Sequence, residues 1–488
     1  MTLALGEPGA KEPLVIGYRI VNPDKSAVAL VAATGALPRA TAHWLESSLA
    51  NMRVTALPDE THMVTDPTGR LIVAVALTEK GNLEALRKSA GAAARKLLGH
   101  SKITFAIACS DVNELTAVAE GALLGSYQFH QFKGDSTTSE VVEKITIAPG
   151  RTIRNAAVAL KRVATIIERV HFVRDLINMP PSFLTPEKFI SLVKAQLPAT
   201  VKASVKNHIQ LKREGYGGIT AVGQGSANPP QLLHLSYRPT KAKRKFAYVG
   251  KGITFDTGGL ALKPAQGMEA MKSDMSGAAA VVGAIIAIAE LKLPVAIDAW
   301  APLAENMVSE SATRPSDVIT IYGGKTVEVL NPDAEGRLIL ADALVRAVEV
   351  TKDLDGIIDI ATLTGAQIIA LGKRTAAVMG NDERFCEQFL NVSKSVGESF
   401  WQMPLPEELR ASLDSPTADI ANIGERMGGM LVAGLFLREF VPPSLPWLHL
   451  DIAGPSYNEG EPHGYTPVGG VGFAVRSLVH FAEVTSTR

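Results

Sequence analysis

The hydrophobic and polar positions of the chain form short apolar runs separated by longer helical patterns. In the first part of the chain, runs rich in Val, Ile and Ala predict strands that are covered on both faces. These runs are Leu14–Ile20, Ala27–Ala33, Leu71–Leu77, Ile103–Cys109 and Val142–Ala148. Helical patterns lie between them, for example at Asn82–Leu98 and Asn113–Leu124. This alternation predicts an α/β domain built on a mostly parallel sheet.

A strongly helical pattern without Gly or Pro follows at Arg151–Ile177, and it ends at the breaker Asn178-Met-Pro-Pro181. Beyond it, apolar runs and helical patterns alternate again. Predicted strands are Phe246–Thr254, Val295–Ala301, Gly356–Thr362 and Trp447–Ile452, and predicted helices are Ser276–Leu291, Glu335–Val350, Asp382–Val392, Arg426–Phe440 and Val471–Phe481. We therefore predict an α/β fold class. A smaller N-terminal α/β domain with a structural or assembly role covers residues 1–150, a linker helix covers 151–178, and a larger catalytic α/β domain with a mixed central sheet flanked by helices covers 179–488.

Composition and charge narrow the class of protein. Lys plus Arg and Asp plus Glu both total 49 in a chain of 488 residues, so no net field attracts nucleic acid or acidic membranes. Only Cys109 and Cys386 occur, which favours a reducing cytoplasm over a disulfide framework. No secretory signal pattern is visible at the N-terminus. The most apolar stretch, Gly277–Ala289, is too short to span a bilayer and predicts a buried helix.

Charged residues recur in three Gly-flanked stretches, Val249–Pro264, Met271–Gly277 and Asn331–Leu338. Lys251 ends an apolar strand and Asp256 follows in a loop, which is where functional groups of open α/β sheets gather. Asp274 begins a long apolar helix, where the helix dipole favours an anion. Asp333 and Glu335 immediately precede another helical pattern.

Convergence of these stretches would place four carboxylates in one pocket, where their mutual repulsion requires compensation. Divalent cations supply it, and ligation by oxygen without His or Cys favours Mg²⁺, Mn²⁺ or Zn²⁺. Shared carboxylates would bridge two ions about 3.5–4 Å apart. Taken singly, however, each acidic residue is more typical of a helix cap on a solvated surface than of a metal ligand.

The same stretches resemble the signatures of the leucyl aminopeptidases, also called cytosol aminopeptidases, which are cytosolic metallopeptidases. The octapeptide NPDAEGRL at Asn331–Leu338 is similar to the family's NTDAEGRL, and VGKGITFDTGG at Val249–Gly259 matches its other signature. Similarity continues over most of residues 170–488. It includes Arg174–Asn178, Gly223–Pro230, Ala361–Gly365 and Leu448–Gly454.

The resemblance implies a set of metal ligands. Asp256 and Glu335 would bridge two divalent ions, Mn²⁺ or Zn²⁺. Asp333 would complete one site, partly through its backbone carbonyl, while Lys251 and Asp274 would complete the other. A lysine ligand must be neutral, and two neighbouring cations together with burial lower a lysine pKa.

The resemblance also implies the remaining roles. Lys263 would stabilise the oxyanion, and Arg337 would hold a bicarbonate ion that serves as general base. The backbone near Leu363 would bind the peptide, and Met271 would line a pocket that favours Leu- or Met-like side chains, although Met271 is equally compatible with a core position. The two ions would bind the substrate's free α-amine and scissile carbonyl, which makes the enzyme an exopeptidase. A homohexamer with its active sites facing an interior cavity is further implied.

Three positions depart from the family pattern. Pro332 stands where the family usually has Thr, and its missing N–H and fixed φ could alter the Asp333 carbonyl. Thr257 replaces a common Ser but keeps the hydroxyl, and Lys272-Ser273 replaces a common Arg-Ala pair. Every charged ligand is retained, so we expect catalysis to be retained.

Other functions have weaker support. The basic run Lys241–Lys245 predicts a solvated loop before a strand, so a nucleic-acid-binding regulator is the minority hypothesis and a dipeptidase for Cys-Gly is a third. Ser273 and Ser276 lack an identifiable His–Asp pair, and His449 is expected to be a hydrogen-bonded core residue. Two further residues, Asp419 and Asn422, are expected to support the site rather than react.

Overall fold

The computed structural model describes residues 1–9, 11–22, 27–78, 81–134 and 140–486. The chain forms two compact units. The first contains Met1–His171 together with Gly460–Val468, and the second contains Phe172–Glu459 together with Gly469–Arg488. The division therefore falls inside the helix predicted to be a linker, and a short segment from late in the chain belongs to the first unit.

The first unit is built on a seven-stranded sheet with strand order β1-β7-β6-β2-β5-β4, and β3 pairs with β2. Its elements are β1 Thr2–Leu5, β2 Leu14–Asn22, β3 Ala27–Val31, α1 Arg39–Asn51, β4 Thr61–Thr65, β5 Leu71–Ala76, α2 Leu83–Lys96, β6 Lys102–Phe105, α3 Val112–Gly125, β7 Lys144–Ile147 and α4 Ala156–Asn178, the last of which continues into the second unit. β1, β7, β6, β2 and β5 run parallel, whereas β3 and β4 are antiparallel to their neighbours. The predicted mostly parallel sheet is thus confirmed.

The segment Gly460–Val468 is held in the first unit by polar contacts. The Nε atom of Arg95 donates to the carbonyl oxygen of Gly464 at 2.9 Å. The backbone N–H of Gly464 donates to Asp59 Oδ2 at 2.6 Å. No apolar periodicity marks this segment, so its place in the first unit could not be predicted from the sequence.

The second unit carries a nine-stranded mixed sheet with order β17-β16-β19-β15-β10-β12-β9-β8, in which β11 pairs with β12. Its strands are β8 Val201–Lys206, β9 Gln231–Tyr237, β10 Lys245–Gly250, β11 Gly252–Asp256, β12 Ala296–Asn306, β13 Asp317–Thr320, β14 Thr326–Val329, β15 Gly356–Ala361, β16 Ala376–Gly380, β17 Phe400–Gln402, β18 Ile420–Ala421, β19 Trp447–Asp451, β20 Tyr457–Asn458 and β21 Gly469–Gly470. Its helices are α5 Pro186–Ala195, α6 His208–Glu214, α7 Gly217–Gly223, α8 Ser276–Glu290, α9 Gly336–Val350, α10 Gly365–Leu371, α11 Glu383–Ser395, α12 Gly429–Arg438 and α13 Val475–Ser486, with 3₁₀ helices at Met268–Ser273 and Glu407–Leu413. The predicted mixed sheet flanked by helices is confirmed.

Helix α8 is the apolar helix that the sequence predicts to be buried, and every residue from Ser276 to Ala289 is buried. The wider stretch Met268–Glu290 is long and apolar enough to cross a membrane. However, 94% of its most apolar 18 residues are buried inside the protein, as is usual for a core helix. A Cβ at Gly277 would lie 2.1 Å from the carbonyl oxygen of Ile360, so only glycine permits this approach of α8 to the sheet. The start of α8 is thereby held against the strand ends.

The prediction of a single strand over Phe246–Thr254 is wrong, because two strands, β10 and β11, meet at Lys251. β10 lies between β12 and β15, whereas β11 pairs only with β12 and with a register shift. The Lys251 backbone N–H donates to the carbonyl oxygen of Ile360 at 2.9 Å, and its carbonyl oxygen accepts from Ala278 at 2.8 Å. Lys251 therefore lies between the two strands, and its side chain reaches Asp274 and Glu335 near the strand ends.

Two helix starts predicted from the apolar pattern were also too early. The helix predicted at Arg426–Phe440 begins only at Gly429, because Gly428 adopts a left-handed conformation with φ +69°. The helix predicted at Val471–Phe481 begins at Val475, after Ala474 with φ +73°. Residues with positive φ interrupt a right-handed helix although their apolar neighbours continue its pattern.

Candidate metal centre

The carboxyl ends of four neighbouring strands bring polar residues to one edge of the large sheet. Asp256 ends β11 and Asn306 ends β12, while Lys251 and Thr362 directly follow β10 and β15. β10 pairs in parallel with β12 and β15, and β11 pairs in parallel with β12. Their ends therefore meet at the edge where open α/β sheets usually place ligands.

Lys251 belongs to the first charged stretch and contacts both of the others. Its Nζ atom lies 2.8 Å from Asp274 Oδ2 and 2.8 Å from Glu335 Oε1, and it donates to the carbonyl oxygen of Thr362 at 2.9 Å. Only 3% of Lys251 is exposed. A Cβ at Gly336 would lie 2.5 Å from Lys251 Cε, so glycine at the start of α9 makes room for the lysine stem. Burial alone lowers the Lys251 pKa, but attraction to the neighbouring carboxylates outweighs it and raises the pKa.

Lys263 joins the first stretch to the third. Its Nζ atom lies 2.9 Å from Asp256 Oδ2 and forms a second ion pair with Asp333 Oδ1. The Lys263 side chain is 22% exposed, which leaves part of it open to solvent. Burial lowers its pKa, whereas the nearby carboxylates of Asp256, Glu335 and Asp333 raise it above the ordinary value. Lys263 is therefore positively charged at neutral pH.

The carboxylates of this cluster carry more negative charge than the two lysines neutralise. Burial and the Asp256 charge raise the pKa of Glu335 to about 8, against the lowering effect of Lys251. Burial likewise raises the pKa of Asp274 to about 6, and burial followed by the Asp256 charge raises that of Asp333. Ligand oxygens of Asp256, Asp333 and Glu335 all lie within 4.8 Å of one another. This crowded set of hard oxygen donors fits divalent cations.

Three other candidate residues lie around this cluster. Arg337 is buried near the start of α9, where its Nη1 atom donates to the carbonyl oxygen of Asn422 at 2.6 Å, and burial lowers its pKa to about 10. Met271 is half-buried in the 3₁₀ helix that precedes Asp274. The backbone N–H of Leu363 donates to Asp451 Oδ1 at 3.1 Å. The roles assigned to Arg337, Met271 and Leu363 stay predictions.

Pro332 fits the loop that carries Asp333. The Ala334 N–H donates to the carbonyl oxygen of Asn331 at 3.1 Å, which closes a turn with Pro332 as its second residue. That position needs no N–H donor and favours the φ of proline. Asn331 Oδ1 also accepts from the Asp333 N–H at 2.9 Å. The replacement of the family's Thr is therefore compatible with the loop conformation.

Asn422 fastens the same loop from the neighbouring segment. Its Oδ1 atom accepts from the N–H groups of Leu330 at 2.8 Å and Asn331 at 3.2 Å. Its Nδ2 atom donates to the carbonyl oxygen of Asn331 at 2.7 Å. Asp419, in contrast, accepts from the N–H of Thr326 at 2.8 Å on the exposed side of this segment. Asn422 supports the loop as the sequence predicts, and Asp419 acts further away.

We expect Asn422→Ala to lower the free energy of unfolding by about 1–3 kcal/mol, because it leaves part-buried backbone groups of Leu330 and Asn331 without this partner. Urea unfolding followed by circular dichroism measures this loss. Asp419→Ala on the same segment is the matched control, and we expect it to cost less because its carboxylate is solvent-exposed. Equal losses in the two variants would contradict the role of Asn422.

Three residues of the site were not found from the sequence. Asn306 lies beyond the predicted end of its strand, so the strand-end argument did not reach it. Thr362 donates to Asp274 Oδ1 at 2.7 Å, and Asp451 accepts from Thr364 Oγ1 at 2.8 Å. Thr362 and Asp451 lie at the ends of β15 and β19, so the rule that functional groups gather at strand ends could have found them.

The remaining predictions about polar residues agree with the contacts. Ser273 and Ser276 donate to backbone carbonyl oxygens at 2.7 Å and 2.5 Å, as turn and helix-start residues do. The fully buried His449 contacts Asp359 Oδ1 through Nδ1 at 2.5 Å, as expected of a hydrogen-bonded core histidine. The basic run Lys241–Lys245 begins in the turn before β10, and its Arg244 pairs with Asp355 at 2.7 Å.

Comparison with known proteins agrees with this arrangement. Residues 171–479 match the family described as "Cytosol aminopeptidase family, catalytic domain". Residues 19–136 match "Cytosol aminopeptidase family, N-terminal domain". A probable cytosol aminopeptidase of Streptomyces avermitilis is 51% identical over 409 residues, covering 83% of this chain and 79% of the relative. One of Rhodococcus erythropolis is 45% identical over 485 residues, covering 97% and 94%.

Solved structures show the same fold. The bottromycin maturation enzyme BotP in complex with Mn is 34% identical with a TM-score of 0.85, covering 98% of this chain and 100% of BotP. A tomato leucine aminopeptidase mutant is 28% identical with a TM-score of 0.86, covering 99% and 96%. The chain therefore belongs to the cytosol aminopeptidase family, whose members are hydrolases that act at the N-terminus of peptides.

Proposed function

We propose that this protein is a two-metal aminopeptidase that releases N-terminal residues from peptides and prefers Leu- or Met-like side chains. The observation that carries the proposal is the meeting of four acidic side chains from three distant stretches around two lysines. Three of these acids place ligand oxygens within 4.8 Å of one another. A purely structural cluster has no need for such an excess of buried negative charge.

Five residues would hold the ions. Asp256 and Glu335 would serve both ions, Asp333 would complete one site, and Lys251 with Asp274 would complete the other. Bound ions would supply Lewis acidity and lower the pKa of water. Family members depend on metal ions, and the similar BotP was solved with Mn, so Mn²⁺ or Zn²⁺ is proposed here.

Two cationic side chains would act on the peptide and its hydrolysis. Lys263 is charged and partly exposed, so its ammonium group can donate to the oxyanion that develops on the scissile carbonyl. The Nη1 atom of Arg337 donates to the carbonyl oxygen of Asn422, while its Nε atom has no hydrogen-bond partner among the described residues. A bicarbonate ion accepting from Arg337 would serve as general base.

The proposed function also includes a preference for the first side chain of the peptide and an oligomeric assembly. A half-buried Met271 beside Asp274 suits an apolar pocket for the substrate's first side chain. The free α-amine of the peptide would bind at the ions, which restricts cleavage to the N-terminus. The family resemblance further supports a homohexamer, a cytoplasmic location and an assembly role for residues 1–150.

Removal of metal tests this function. We expect hydrolysis of Leu-p-nitroanilide to be lost after chelation and dialysis, and restored by Mn²⁺ or Zn²⁺, because the carboxylate cluster alone cannot activate water. Initial rates with and without metal, together with elemental analysis, measure the dependence. N-acetyl-Leu-p-nitroanilide is the matched control and should not be cleaved, since its α-amine is blocked. Full activity in protein shown to be free of metal would refute the proposal.

A further inference from the structure

Asn306 is a buried amide that links two stretches of the candidate metal centre. It ends β12, directly opposite Asp256 in the parallel register of β11 and β12. Only 5% of Asn306 is exposed. Register thus fixes the neighbouring positions of Asn306 and Asp256, independently of any bound ion.

Both amide hydrogens of Asn306 are used. The Nδ2 atom donates to Asp256 Oδ1 at 2.8 Å and to the carbonyl oxygen of Pro332 at 3.1 Å. Asp256 Oδ1 also accepts from the Gly258 N–H at 2.8 Å, whereas Asp256 Oδ2 faces Lys263. Asn306 therefore fixes one oxygen of Asp256 and leaves the other directed at the charged cluster.

Chemistry permits only one orientation of this amide. Asp256 and the Pro332 carbonyl are both acceptors, so the NH₂ group of Asn306 must face them. Its Oδ1 atom lies on the side of Gly259, 2.8 Å from where a Cβ would stand. The Asn306 backbone oxygen accepts from Thr257 N at 3.0 Å and Thr257 Oγ1 at 2.8 Å. The side chain of Asn306 thus bonds to Asp256 and Pro332, while its backbone oxygen bonds to Thr257 in the loop that follows Asp256.

We propose that Asn306 is a positioning residue that ties the Asp256 loop to the Pro332–Glu335 loop and thereby sets the affinity for divalent cations. This inference rests on the proposed function. The two loops supply Asp256, Asp333 and Glu335, and Asn306, which ends β12 and belongs to neither loop, donates to both of them. Without it, the Asp256 carboxylate loses one of the hydrogen bonds that orient it, and the turn that carries Asp333 loses its bond to the end of β12. Groups that orient metal ligands are typically worth 10–100-fold in metal affinity or activity.

Calorimetric titration of metal-free protein with Mn²⁺ tests the inference. We expect Asn306→Ala and Asn306→Leu to bind Mn²⁺ about 10–100-fold more weakly than wild type. Hydrolysis of Leu-p-nitroanilide should return towards the wild-type rate when Mn²⁺ is raised by the same factor. Leu has the same branched side-chain shape as Asn but no hydrogen-bond donors, so the second variant separates lost hydrogen bonds from a cavity.

The matched control is Asn381→Ala. Asn381 also bridges two backbone groups, donating to the Leu445 carbonyl at 2.9 Å and accepting from Trp447 N at 2.8 Å, but it contacts none of the candidate ligands. Its Mn²⁺ affinity should remain that of wild type. A wild-type affinity for Mn²⁺ in the folded Asn306→Leu variant would overturn the positioning role of Asn306 and would leave the proposed function standing. Absence of Mn²⁺ binding and of metal-dependent hydrolysis in wild type would instead overturn the proposed function.

Discussion

Glu335→Ala is expected to lower kcat/KM for Leu-p-nitroanilide by at least about a thousandfold while the protein stays folded. Glu335 is 2% exposed, pairs with Lys251 and places an oxygen near Asp256 and Asp333, so its loss removes a ligand proposed to serve both ions. Folding should survive, because burial raises the Glu335 pKa to about 8 and the ionised carboxylate is therefore unfavourable in the folded state. Its contribution to stability is present below the unfolded pKa and is lost as pH rises through about 8.

Steady-state kinetics with saturating Mn²⁺ measure the loss of kcat/KM, and circular dichroism measures whether the variant is folded. Glu328→Ala is the matched control, since Glu328 is also a buried glutamate but accepts from Ser415 Oγ at 2.5 Å on β14. We expect that variant to keep most of its activity. Persistent hydrolysis in Glu335→Ala would contradict the bridging role.

Much of this site follows from local sequence rules. An apolar strand that ends at a lysine, a glycine-flanked aspartate and an acid at the start of a buried helix each occupy places where charge is favoured. The parallel register then turns positions distant in sequence, such as Asp256 and Asn306, into neighbours. Local rules therefore indicate Lys251, Asp256, Asp274, Asp333 and Glu335 as separate candidates, whereas their convergence into one cluster was expected only from the family resemblance.

The pairing inside the cluster could not be predicted in the same way. Whether Lys251 faces Asp274 or Asp256 depends on the break between β10 and β11, which the continuous apolar pattern of Phe246–Thr254 conceals. Similarly, Asn306 was missed because β12 extends five residues past its predicted end at Ala301. Such details depend on tertiary pairing, which overrides local pattern.

The segment Gly460–Val468 illustrates a second limit. Its contacts with Arg95 and Asp59 join residues that are more than three hundred positions apart in sequence. Most of these bonds use backbone groups of the segment, and backbone groups carry no residue-specific signal. A single sequence therefore predicts the strands and helices of each unit better than it predicts which late segment belongs to the first unit.

Lys251→Met is expected to lower the free energy of unfolding of the metal-free protein by about 3–5 kcal/mol at pH 9, the usual cost of breaking a buried ion pair. Met has a similar length and keeps the packing of the stem, so the loss reports the ammonium group. That group lies 2.8 Å from both Asp274 and Glu335, which become uncompensated when it is removed. Urea unfolding after exhaustive chelation measures the effect.

The expected pH dependence separates this electrostatic role from simple packing. Without Lys251, Asp274 and Glu335 can escape repulsion only by protonation, so the loss should shrink as pH falls from 9 towards 5. In wild type the raised Lys251 pKa keeps the ammonium charged throughout this range, and its stabilisation is lost only above the ordinary lysine pKa. Lys325→Met, which breaks the more exposed pair with Glu439, is the matched control and should cost no more than about 1 kcal/mol. A Lys251→Met loss that is equally small, or independent of pH, would mean that the carboxylates of the centre do not rely on Lys251 when cations are absent.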